Sequence, residues 1–92
     1  MRERVDVSDV QRLKEQLHQV SMEAKQAAGG LAGFKLRFTQ HSQQVESLIA
    51  GTATGVDRDI SEILDAAGKA VEQAAEALEI ASAGCKSYAD QI

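Results

Sequence analysis

Ninety-two residues with a net charge of −4, 43% hydrophobic side chains and no proline describe one small domain. The acidic balance argues against a dedicated nucleic-acid binder, which presents a basic face. No apolar run approaches the roughly 18 residues of a membrane span, so direct membrane insertion is not expected. Much of the hydrophobic content is Ala, and Phe34, Phe38 and Tyr88 are the only aromatic residues. A chain so short of bulky apolar groups buries a limited core alone and gains by packing on a partner.

Charge divides unevenly along the chain. Residues 1–50 carry seven basic and six acidic side chains, for +1, whereas residues 51–92 carry three and eight, for −5. The acidic second half favours solubility or a basic partner surface. Cys85 is the only cysteine, so it has no internal disulfide partner. No metal-ligand spacing surrounds it, and it reads as a small apolar residue in a helix seam. Met1-Arg2-Glu3-Arg4 lacks the apolar h-region of a signal peptide. The expectation is synthesis in the cytoplasm, with any export leaderless.

Residues 1–7 read as an extended lead-in. Ser8 is a candidate N-cap, with Gln11 three residues on and Asp9 in the first turn, which predicts a first helix over about 9–50. Its apolar spacing runs Val10, Leu13, Leu17, Val20, Ala24, Ala27, Leu31, Phe34, Phe38, His41, Val45, Leu48. The steps alternate three and four, the pattern of a helix packed along its whole length on another. His41 is the only polar member and reads as a seam histidine, since no second metal ligand stands near it. Gly29, Gly30 and Gly33 weaken the helix by up to about 1 kcal/mol each relative to Ala. The seam keeps its phase across them, however, which favours one long helix, straight or else kinked or locally unwound at the glycines, over two separate helices. These glycines fall outside the seam and leave room for a second backbone to approach.

Phe34 and Phe38, four apart and flanked by Lys35 and Arg37, share a face. A single such pair without a wider basic surface reads as a core or interface anchor rather than a single-strand nucleic-acid platform. Gly51 is a suitable helix stop, and Thr52, Thr54 or Asp57 can cap the next helix, placing a turn at 51–56 bounded by Gly51 and Gly55. It is not a phosphate-binding loop, because Val56-Asp57 stands where Lys-Ser/Thr is required.

The second helix is predicted over about 57–91. Its seam runs Ile60, Leu64, Ala67, Val71, Ala74, Leu78, Ala81, Cys85, Tyr88, Ile92, flanked by the small residues Ala70, Ala75, Ala77, Ser82 and Gly84. Small residues over a wide face let a neighbouring helix lie close. At 1.5 Å per residue the two helices span about 60 and 54 Å, matched arms for antiparallel pairing. The predicted fold is all-α: two long antiparallel helices in a single-domain hairpin, pairing with a second hairpin into a four-helix bundle. The carboxylates of the second helix lie on its polar face, away from any desolvated pocket, and neither histidine sits in a nucleophile arrangement. No enzymatic activity, cofactor or metal is expected.

Two long amphipathic helices about a central Gly-containing turn, in a chain of this length without Pro, resemble the WXG family of small type VII secretion proteins. Ile49-Ala50-Gly51 stands where that family has Trp-x-Gly, with the Gly alone retained. Tyr88 matches the start of its C-terminal Tyr-x-x-x-acid signal, and Ile92 occupies the acid position. The resemblance implies a hairpin that forms a homodimer or a heterodimer with another small helical protein or the helical N-terminal domain of an LXG-type toxin. It also implies a secreted protein, or a targeting partner or chaperone exported on its partner's signal. The competing reading is a structural or adaptor coiled-coil hairpin of a bacterial assembly unrelated to secretion. Phe34, Phe38, Leu64, Val71, Leu78 and Tyr88 are the candidate partner-binding residues.

Overall fold

The computed structural model describes residues 7–50 and 56–92. Two helices account for them: α1, Val7–Ile49, and α2, Val56–Gln91, packed on each other as an antiparallel hairpin. The fold extends over 72 × 25 × 14 Å, the proportions of a two-helix ribbon. Gly51 and Gly55, the predicted turn residues, lie outside the described residues, as do Thr52 and Thr54.

α1 begins at Val7, so Ser8 sits inside the first turn rather than ahead of it. Asp9 does fall in that turn, where its charge opposes the helix dipole, and its carboxylate accepts a 2.6 Å hydrogen bond from Arg12. At the other end the Ala50 N–H donates to the Glu46 carbonyl at 3.0 Å, closing the last turn one residue before the expected stop at Gly51. Between these ends α1 runs through Gly29, Gly30 and Gly33 without interruption, and no described residue has a positive φ. The continuous helix expected from the phase of the apolar residues is the one observed.

The seam between the helices departs from expectation in a regular way. On α1 the predicted row Val10, Leu17, Leu31 and Phe38 is half-buried, with Ala24 buried, but Val45 at its end is exposed. Its expected companion, Leu13, Val20, Ala27, Phe34, His41 and Leu48, is exposed. The row one residue later takes its place: Lys14, Ser21, Ala28, Lys35, Ser42 and Ile49 are buried or half-buried. α2 behaves identically. Leu64, Val71, Leu78 and Cys85 are half-buried as predicted, whereas Ala67, Ala74, Ala81 and Tyr88 are exposed and Ser61, Gly68, Ala75, Ser82 and Ala89 face the partner helix.

Close approach explains the substitution. The most buried residues are Ala89, Ala28, Ser21, Ala24, Ser82 and Gly68, all small, and no large side chain is fully enclosed. On α1, Ser21 and Ala28 at the contact let the backbones come together where Val20 and Phe34 would hold them apart, whereas on α2 the exposed Ala67, Ala74 and Ala81 are as small as the residues buried. Ser21 donates its hydroxyl to the Ser82 carbonyl at 2.8 Å, with the two hydroxyl oxygens 3.1 Å apart, so the polar atoms of this seam are paired across it. Phe38 lies 3.9 Å from where a Gly68 Cβ would stand.

Gly29 has nothing within 4 Å of an added Cβ and sits in regular helix. Gly29→Ala should therefore stabilise the hairpin by up to about 1 kcal/mol. A gain of that size raises the melting temperature by roughly 4–8 °C for a chain of this length. Thermal melts followed by circular dichroism test this, and a lower melting temperature would contradict a relaxed helix at this position.

Candidate functional site

The hairpin's two long flanks differ in chemistry, and the difference follows from helical phase. With residues seven apart sharing an azimuth, the exposed row of each helix lies about 50° to one side of the seam. Antiparallel helices reverse both direction and sense, so rows of equal phase fall on the same side of the pair. The exposed row of α1 and that of α2 consequently share one flank.

Cross-helix polar contacts gather on the opposite flank. Lys35 Nζ lies 3.7 Å from Glu72, His18 Nε2 lies 4.0 Å from Asp90, and Ser61 donates to Glu46 at 3.0 Å. All are partly exposed, and such pairs contribute under about 1 kcal/mol each. This flank also carries an open groove of about 320 Å³ lined by Lys35, Phe38, Ser42, Glu46, Leu64 and Glu72. The buried Ser42 hydroxyl has no hydrogen-bond partner among the described residues.

The other flank is largely apolar, with His41, Glu23 and Arg37 as exposed polar members on α1. α1 contributes Leu13, Val20, Ala27, Phe34 and Leu48, and α2 contributes Ile63, Ala67, Ala70, Ala74, Ala77, Ala81, Gly84 and Tyr88, all exposed. Phe34 is 43% exposed, Tyr88 52% and Ile63 64%, large values for residues of this size. Met22, Leu36 and Ile80 are exposed as well, but on the outer faces, as isolated apolar side chains of the kind surfaces normally carry. The flank residues differ from these in standing together along one side.

The six candidate partner-binding residues divide between the two surfaces. Phe38, Leu64, Val71 and Leu78 line the hairpin's own seam and are half-buried there, whereas Phe34 and Tyr88 stand on the open flank. Phe34 and Phe38 stack with centroids 5.8 Å apart, joining seam to flank. His41, expected in the seam, is exposed on the flank row, and Cys85 occupies the seam as expected. Ile63, Ala70 and Ala77 were legible as apolar or small residues at heptad spacing, but assigning them to a docking face required knowing which rows the seam consumes.

Among the described residues no three His, Cys, Asp or Glu side chains are grouped to hold a metal. No described helix is long and apolar enough to cross a membrane. Comparison of the chain with protein-family models, with curated proteins and with solved structures returns no match. What the surface offers chemically is burial of apolar area against another helical face.

Two substitutions separate the surfaces. Leu78→Asp places a carboxylate in the seam and should cost at least about 2 kcal/mol, with loss of helicity. Val20→Asp, on the flank, should leave the hairpin's own stability within about 0.5 kcal/mol in dilute solution. Far-UV circular dichroism with urea titration checks both, and equal losses would place Val20 in the hairpin's core.

Proposed function

We propose that this chain is a WXG-like small protein of a type VII secretion system, acting through helix–helix binding as a targeting partner or chaperone for a co-exported effector, or secreted with it. The exposed apolar flank carries the reading. A hairpin with matched arms that leaves one long face apolar is half of a four-helix bundle. The accessible surface of 7078 Å² supports the same view. A compact monomer of 9.8 kDa exposes about 5,200 Å² by the usual size scaling, so this ribbon carries area that association would remove. The second reading, an adaptor hairpin unrelated to secretion, is favoured by Ala50-Gly51 lacking a preceding Trp and by Ile92 in place of an acid.

The test is co-purification of the full chain from its native cell, together with its fate in culture medium. Recovery with a secretion ATPase or with the helical domain of a toxin, and loss from the medium when that ATPase is deleted, is the expected result. A partner set containing only components of another assembly, with no dependence on the ATPase, would overturn the secretion reading.

A further inference from the structure

We propose that α1 carries a hinge at residues 29–33: the helix opens there while α2 stays intact, and the two halves of α1 lift from α2 and reseat on it separately. The hinge stands whatever occupies the apolar flank.

Three of the five residues at 29–33 are glycine. Each weakens helix relative to alanine, because a backbone without Cβ gains more freedom on unwinding. Nothing in the hairpin's packing requires glycine at these positions. An added Cβ would meet nothing within 4 Å at Gly29 or Gly30, and at Gly33 only the far end of the Arg37 side chain, at 3.8 Å. None of the three has a positive φ, so no turn requires glycine either. In regular helix with space around it, glycine supplies one thing, a low cost of local opening.

The contacts that hold α1 to α2 are distributed to match. Toward the open end, Ser21 donates to the Ser82 carbonyl at 2.8 Å and His18 lies 4.0 Å from Asp90. Toward the turn, Lys35 lies 3.7 Å from Glu72 and Ser61 donates to Glu46 at 3.0 Å. Between Ser21 and Lys35, among the described residues, no side chain of α1 makes a hydrogen bond or ion pair to α2. Within 29–33 only Leu31 sets a side chain against α2, and it is half-buried. Facing this stretch, residues 71–78 of α2 contain three alanines and no glycine, so α2 has no matching weak point. Opening is therefore confined to α1 and leaves the contacts on both sides of it in place. Leu13 and Val20 then belong to one segment of the flank and Phe34 and Leu48 to the other, two pieces that adjust to an occupant separately.

Hydrogen exchange of the full chain, resolved by residue with NMR, reads the hinge directly. Amides 33–36 bond to carbonyls 29–32. After correction for intrinsic rates they should exchange at least about tenfold faster than amides 20–25 and 40–43 of α1 and 71–75 of α2. Gly29→Ala should slow exchange at 33–36 by up to about fivefold. Gly84→Ala is the control, since Gly84 is exposed in α2 with nothing within 4 Å of an added Cβ. It gives the whole hairpin the same gain in helix propensity, yet should leave exchange at 33–36 unchanged. Leu64→Ala, in the seam near the turn, should speed exchange at 40–49 and leave 14–25 as they were. Equal protection along the middle of α1 overturns the hinge. So does equal slowing at 33–36 by Gly29→Ala and Gly84→Ala, or acceleration of both halves of α1 by Leu64→Ala, since either result marks α1 as one cooperative unit.

Discussion

Close approach of two helices along rows of Ala, Ser and Gly is the constraint on which the rest of this structure depends. Ser21, Ala24, Ala28, Gly68, Ser82 and Ala89 are the residues most removed from solvent. None of them buries much apolar area, so stability comes from continuous contact along two long helices rather than from a dense core. The Ser21 hydrogen bond to the Ser82 carbonyl follows from the same geometry, since a side chain that short reaches the opposite backbone only where the helices nearly touch.

That choice of seam leaves one flank of the hairpin largely apolar and exposed. Each helix carries three adjacent rows able to face a neighbour, and a hairpin consumes two of them. With the small rows turned inward, Leu13, Val20, Phe34 and Tyr88 are left on the outside. Because the helices are antiparallel, the leftovers fall together on one flank and the polar pairs of Lys35, Glu46 and Glu72 on the other. The result is a ribbon with two unlike sides. One carries the cross-helix polar pairs, and the other is largely apolar, broken by His41, Glu23 and Arg37.

The mid-helix glycines take no part in this close approach. Inside the hairpin Gly29 and Gly30 contact nothing, and helix α1 passes through them undisturbed.

The all-α hairpin was legible in the sequence because a three-four spacing sustained over forty residues without Pro permits little else. Continuity through Gly29 and Gly30 was legible too, since the apolar phase survives them. The seam was only half legible. Leu17, Phe38, Leu64 and Leu78 were placed between the helices correctly, but their companion rows were off by one residue in both helices. The sequence ranks rows by hydrophobicity, and on that scale Leu13, Val20 and Phe34 outrank Ser21, Ala28 and Lys35. Tertiary structure ranks them by how close the backbones can come. Amphipathic periodicity thus determined that two helices pair along their length, while the rows that meet, and so the apolar face left exposed, were decided by tertiary packing, in which Ser21 and Ala28 of α1 fit more closely against α2 than Val20 and Phe34 would.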